Sequence, residues 1–201
     1  MARSAALAFT LLFSGCAAPA QGPAAARPAE LTGLARYLPL EDGTVFAYET
    51  STEPASERGL LVLEVRRTTP GTAELVVAGR GRRLTLTTDA VAHAGGGFLL
   101  REPLAVGAEW HGDFGHVRVT RVGLSVSVPA GTFADCVETV EELATREGDK
   151  RTTTAFCPGV GIALRETSVE QGDERQSERI ALKSFGKKFD AGAANPAPNA
   201  R

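Results

Sequence analysis

The sequence predicts an all-β fold: a curved antiparallel sheet or partly open barrel of about nine to eleven strands, with one short N-terminal helix. Three features carry that prediction. From Thr44 onward, apolar residues recur with period two rather than 3.6, which sends alternate side chains to opposite faces of a sheet. Turn residues fall between these runs at Thr69-Pro70-Gly71, Gly79-Arg80-Gly81 and Gly95-Gly96-Gly97, the spacing of a meander of short strands. No long helical pattern separates them, which argues against βαβ units and a parallel sheet.

The first residues predict export. After Met1 and Arg3, residues 5–13 form an apolar run too short to span a bilayer but of the right length for the core of a signal peptide, assigned to residues 1–15. The run ends in Leu12-Phe13-Ser14-Gly15-Cys16, which resembles a bacterial lipobox, with Phe13 where that motif usually has Leu. The resemblance implies that Cys16 is lipidated and becomes the new N-terminus. Ala17, rather than Asp, after that cysteine implies the outer membrane of a Gram-negative envelope, facing the periplasm or the cell surface. The other reading of the same residues is an ordinary signal peptide cleaved at a nearby small residue, with Cys16 unmodified.

Residues 16–30 are Ala- and Pro-rich without hydrophobic periodicity and read as a tether, about 40 Å long if extended. Residues 31–38 suit one or two helical turns with Leu31, Leu34, Ala35 and Leu38 on one face, placed to plug or cap the sheet. A single β domain is expected over 31–186. Residues 187–201, rich in Lys, Gly, Ala, Asn and Pro, read as a disordered tail.

Within the domain, Leu61, Leu63 and Val65 alternate with Val62, Glu64 and Arg66, and Leu84 and Leu86 alternate with Arg83, Thr85 and Thr87. Pro39-Leu40-Glu41-Asp42-Gly43-Thr44-Val45-Phe46 is echoed by Pro103-Leu104-Ala105-Val106-Gly107-Ala108-Glu109-Trp110, each a turn that delivers an aromatic residue into a strand. Between His116 and Val128 the alternation shifts phase. Val117 and Val119 are odd, whereas Val122, Leu124, Val126 and Val128 are even, so one residue near Thr120 or Arg121 must be absorbed by a bulge that bends the strand. Pro129 with Gly131 suits a type I turn, and Pro158-Gly159 a type II turn whose third residue needs positive φ. Long strands are expected over 132–146 and 150–156, reversing at Glu147-Gly148-Asp149, and the last strands over 162–169 and 179–184.

In an oxidising compartment Cys136 and Cys157 are the two cysteines left to pair. A bridge between them closes a loop of about 20 residues and stabilises by about 3 kcal/mol in the chain-entropy model. A turn centred on Glu147 and Gly148 would set Cys136 opposite Gly159, so the bridge would need a bulge or a diagonal approach. The alternative is two buried thiols. Zinc lacks a nearby histidine pair here.

The segments Pro-Leu-x-x-Gly-x-x-aromatic, Val128-Pro129-Ala130-Gly131-Thr132-Phe133 with Cys136, and Pro158-Gly159-Val160-Gly161 together resemble a group of bacterial secreted and lipid-anchored proteins, domains of unknown function with a curved antiparallel sheet. The match spans about residues 39–166. Its motifs are turn and strand-start chemistry, and no catalytic residue comes with it.

A formal net charge of −2 gives no basic stripe for nucleic acid. His111, Asp113 and His116 are the one local constellation that could approach a metal, although Asp113 between Gly112 and Gly115 is equally good turn chemistry. Ser125 and Ser127 alternate with valines and lack a nucleophile elbow. Gly95, Gly96 and Gly97 lack the helix and Lys of a phosphate loop. Glu138, Glu141, Glu142, Glu147 and Asp149 face Arg146, Lys150 and Arg151, the pattern of a solvated strand face more than of a glycosidase pair. The expected function is therefore a non-enzymatic, membrane-anchored envelope lipoprotein with a binding or structural β domain and no cofactor. Its expected partners are the membrane, through the lipid anchor, and a hydrophobic or glycan ligand or an envelope protein. The alternatives are a lipid-binding carrier-like β-cup and an envelope hydrolase or metal-dependent enzyme.

Overall fold

The computed structural model describes residues 32–146 and 148–188. The expectations for residues 1–15, Cys16, the tether and residues 189–201 lie outside the described residues. One helical turn, α1 (Leu34–Tyr37), precedes twelve strands: β1 (Thr44–Glu53), β2 (Arg58–Thr69), β3 (Thr72–Val77), β4 (Arg80–Leu86), β5 (Ala90–His93), β6 (Phe98–Arg101), β7 (Glu109–His111), β8 (His116–Val128), β9 (Gly131–Ala144), β10 (Asp149–Cys157), β11 (Gly161–Gln171) and β12 (Glu174–Lys187). The fold is all-β, with one strand more than the upper expectation. β5, β6 and β7 have only three or four residues each, too few for period two to show. β12 begins at Glu174 rather than residue 179, because Glu174-Arg175-Gln176-Ser177-Glu178 is polar throughout and is a strand through its ladders to β11 and, from Ser177 on, to β1. It also runs to Lys187, past the expected end of the domain at residue 186.

The strands form one antiparallel sheet in the order β6-β5-β4-β3-β2-β1-β12-β11-β10-β9-β8-β7. Each strand pairs with its sequence neighbour and β1 pairs with β12, so the sheet closes on itself as an up-and-down barrel except for a seam between β6 and β7. Each half contributes six strands, and the two Pro-Leu-x-x-Gly segments open the halves in the same way. The Gly43 N–H donates to Val65 O and the Gly107 N–H to Val119 O, both at 2.9 Å, and Thr44 and Ala108 close matching turns onto Glu41 O and Ala105 O. Both glycines have positive φ, and Phe46 and Trp110 are both buried.

Strand alternation sets the interior. Phe46, Tyr48, Val65, Leu84, Leu100, Val119, Val137, Phe156 and Leu182 fill it, and burial pushes the Tyr48 phenol pKa up. The phase fault in β8 is a bulge at the expected place, with the register shifting between Val119 and Arg121. A second shift, between Val122 and Leu124 around Gly123 at φ 70°, was not expected. It turns Val122 outward, where it is 45% exposed, although its even position had grouped it with Leu124, Val126 and Val128.

The cysteines stand closer than the sequence suggested. β9 and β10 pair with Asp149 opposite Ala144 and Phe156 opposite Val137, and the next pair in that register is Cys136 with Cys157. β9 ends at Ala144 and β10 begins at Asp149, so the reversal is centred one residue earlier than expected, which removes the need for a bulge or a diagonal. A disulfide joins the two, with Cα atoms 4.2 Å apart, the spacing of a non-hydrogen-bonded antiparallel pair. At Cys157-Pro158-Gly159-Val160 the Val160 N–H returns to Cys157 O at 3.3 Å and Gly159 has φ 77°, the type II turn read from the sequence.

The ends of the barrel differ. The turns after β2, β4, β8 and β10 lie at the end where β1 begins and β12 finishes, and the Lys188 N–H donates to Gly43 O there. α1 crosses this end: Arg36 O accepts from the Gly159 N–H on one side, while Leu34, Leu38 and Leu40 stand with Leu86 and Val91 around a recess on the other. Leu34 and Leu38 are buried, so the helical turn plugs this end as its apolar face predicts; Ala35 is exposed. The turns after β1, β3, β5, β7, β9 and β11 make the opposite, hairpin end.

Candidate functional site

Toward the hairpin end the interior changes from apolar to polar. Leu84 is fully buried on β4, and Arg82, two residues earlier, occupies the same face. His93 pairs with Leu84 across β4 and β5, and Glu141 pairs with Val117 across β8 and β9. Thr139, Thr154 and Arg165 lie side by side on β9, β10 and β11. These residues and Asp113, from the β7–β8 turn, line a cavity of about 40 Å³ beside the seam.

The two carboxylates in this cluster already have partners. Asp113 Oδ1 forms an ion pair with Arg82 Nη2. Burial alone would raise the Asp113 pKa; the hydrogen bond and charge of Arg82, joined by His93 and Arg165, outweigh it and hold the carboxyl below the usual range. Glu141 Oε1 accepts the backbone N–H groups of Phe114 and Gly115, at 2.8 and 3.1 Å, and so ties the β7–β8 turn to β9. His93 is 9% exposed, and its Nδ1 is buried without a hydrogen-bond partner. Burial and then the Arg82 guanidinium hold its imidazole below the ordinary histidine range, against the pull of Asp113 and Glu141.

A row of polar side chains leads away from the cavity. Glu141 stands opposite Thr152, Thr152 opposite Thr167 with their hydroxyls 3.0 Å apart, Thr167 opposite Glu178, and Glu178 opposite Thr52. Thr167, Glu178 and Thr52 line a larger recess, of about 660 Å³, together with Lys150, Val169 and Gln176. Chemically, the arrangement offers hydrogen-bond donors and acceptors along one face.

The residues singled out in the sequence are distributed otherwise than as one centre. His111 and His116 face each other across the β7–β8 hairpin, exposed on the outside, and His116 Nε2 is 3.1 Å from Glu109 Oε2. Asp113 turns away to Arg82, so the three do not converge. Among the described residues no cluster of three or more such side chains is arranged to hold a metal. Ser125 and Ser127 are exposed, as their alternation predicts.

The acidic run is only partly a solvated face. Glu142 pairs with Arg151 at the surface, but Glu138 is 9% exposed and pairs with Arg121 of β8, and Glu141 points into the barrel. Glu138 Oε1 accepts from Arg121 Nε at 2.9 Å and from the Thr120 hydroxyl at 2.7 Å. The Arg121 guanidinium, with Thr120 adding to it, holds the Glu138 carboxyl below the usual range although burial opposes this. Arg82, His93 and Arg165 were not singled out, since nothing in their local sequence departs from strand alternation. Only closure of the barrel brings them together.

Fold and cluster together define a plugged up-and-down β-barrel with a polar interior at its hairpin end. No family model matches the sequence, and no curated protein matches it. Two solved structures are similar in shape. One is an exported protein with a YmcC-like fold from Bacteroides fragilis, 13% identical, with a TM-score of 0.48 over 73% of this chain and 97% of that one. The other is a lipoprotein from Parabacteroides distasonis, 12% identical, with a TM-score of 0.42 over 75% of this chain and 98% of that one.

Proposed function

We infer that the chain is a non-enzymatic lipoprotein of the cell envelope, anchored through Cys16 and using its barrel to bind a ligand from the hairpin end. The observation that carries this reading is the difference between the two ends. α1 closes one end with apolar side chains, and the described chain both enters and leaves there, with Gly33 before α1 and Lys188 bonded to Gly43. A tether running from Cys16 to this end sets the plugged end toward the membrane and the polar hairpin end toward the surrounding compartment. The outer membrane is the anchoring membrane in this reading, since Ala17 follows the cysteine.

The test is the mature N-terminus. Mass spectrometry of the protein purified from its own envelope is expected to find Cys16 as the first residue, bearing acyl chains, and Cys16→Ala is expected to release the protein from the membrane fraction. A mature chain that begins elsewhere with an unmodified thiol at Cys16 overturns the anchoring. Native mass spectrometry of the same preparation is expected to show a co-purifying small molecule that is displaced when the barrel unfolds.

A further inference from the structure

The charges of the cluster at the seam cancel in number, but one of its cations has no direct partner among the described residues. Two guanidinium groups, Arg82 and Arg165, and two carboxylates, Asp113 and Glu141, line the cavity. Asp113 is paired with Arg82, and Glu141 is occupied by the backbone N–H groups of Phe114 and Gly115. Arg165 is half-buried on β11, and among the described residues neither an ion pair nor a hydrogen bond is formed by its guanidinium. Its strand neighbours differ: Arg179 pairs with Glu166, and Arg151 with Glu142. Beside Arg165 in the same cavity is the unpartnered, buried Nδ1 of His93. A buried polar group without a partner costs about 1–3 kcal/mol, and native interiors satisfy nearly all of them. The buried Nδ1 of His93 is such a group, and the half-buried Arg165 guanidinium beside it has no described partner of its own; one negatively charged acceptor in the cavity would satisfy both. A cavity of about 40 Å³ has room for roughly three water-sized groups, the size of one carboxylate or phosphate.

We propose that this cavity receives the anionic group, a carboxylate or a phosphate, of the ligand that enters from the hairpin end. Arg165 supplies the ion pair and His93 the second hydrogen bond from Nδ1–H, while the remainder of the ligand extends toward the hairpin end, where Thr167, Glu178 and Thr52 line the larger recess. The inference rests on the binding role proposed above and specifies its ligand class.

The test uses the full chain with ¹⁵N-labelled histidine, titrated with acetate or inorganic phosphate against chloride at equal ionic strength. The ring resonances of His93 are expected to shift saturably with one or both anions while those of His111 and His116 do not, and whichever arm binds more tightly identifies the group. Arg165→Gln is expected to weaken that binding at least tenfold, and His93→Gln to weaken it in a parallel titration followed by Trp110 fluorescence. His93 resonances that ignore both anions, or move equally in Arg165→Gln, overturn the proposal. A neutral ligand that binds the barrel equally well in wild type and Arg165→Gln also overturns it but leaves the binding role standing. An unmodified Cys16 removes the anchoring whatever His93 does.

Discussion

The indole Nε1–H of Trp110 on β7 donates to the backbone carbonyl of Phe98 on β6 at 3.1 Å, across the one junction in the barrel that has no strand ladder. Everywhere else neighbouring strands are joined by backbone hydrogen bonds. Here a side chain does that work, from a position buried in the core. Trp110→Phe keeps most of the apolar volume and removes the donor, so one hydrogen bond and an unsatisfied carbonyl cost about 1–2 kcal/mol, to which the smaller ring adds a cavity cost. The local effect is expected to exceed the global one. Hydrogen–deuterium exchange should accelerate over residues 98–101 and 109–111 and stay unchanged over residues 44–53, where β1 is laddered on both sides. Equal acceleration in both regions would show that the bond does not hold the seam.

The disulfide makes a second prediction. Cys136 and Cys157 are in register on adjacent strands and 21 residues apart in sequence. Their bond therefore adds a cross-link to a hairpin that already has its ladder, and it acts mainly on the unfolded chain. Cys136→Ala with Cys157→Ala is expected to fold to the same barrel and lose about 3 kcal/mol, read as a lower urea midpoint. Circular dichroism of the native state should be unchanged.

How much of this was legible in the sequence follows from how far apart the interacting residues lie. Period two, the Pro-Gly turn at Pro158 and the phase fault at Thr120 are local patterns, and each was readable. The β9–β10 loop was misplaced by one residue, because Glu147-Gly148-Asp149 is good turn chemistry in more than one frame; the Ala144–Asp149 pairing decides it. The outward turn of Val122 was hidden because Gly123 has no side chain to break the apolar alternation. The interior cluster could not be read at all. Arg82 and Asp113 are 31 residues apart, and the chain segments that hold them meet only where the barrel closes.

Acid is expected to destabilise the barrel partly through Glu138. Its folded pKa is depressed by Arg121 and Thr120, so the unfolded state binds its proton first as pH falls. The stabilisation is complete above the unfolded carboxylate value of about 4.3 and is lost as pH falls below it through the folded value. Glu138→Gln removes this dependence and leaves Arg121 without its carboxylate. The variant is expected to be less stable at pH 7 and to show a shallower loss of stability between pH 5 and 3, both measured by urea unfolding. A parallel, merely lowered curve would assign the acid sensitivity to other groups.

The seam is also closed by glycine, at its hairpin end. A Cβ on Gly97, at the end of the β5–β6 turn, would overlap the carbonyl of Gly112 in the β7–β8 turn, and Gly97 has φ +78°. A Cβ on Gly112 would overlap Glu141 Oε1 and Val117. The two turns approach so closely because Gly97 has no side chain, Gly112 lies as close to Glu141 and Val117 for the same reason, and this packing places Asp113 next to Arg82. Gly95 in the same β5–β6 turn has open space around its Cβ position. Gly97→Ala is thus expected to cost about 2–4 kcal/mol, from positive φ and overlap with backbone together, whereas Gly95→Ala should lie within about 0.5 kcal/mol of wild type. Gly112→Ala is expected to displace the Glu141 carboxylate and free the Phe114 and Gly115 amides, which makes their exchange faster. Because the displaced groups border the cavity, Gly97→Ala should also change the environment of His93, visible as a shifted ring resonance in the absence of any added anion. An unmoved His93 in a folded Gly97→Ala variant would separate the seam from the cavity and leave the glycine contact a purely structural closure.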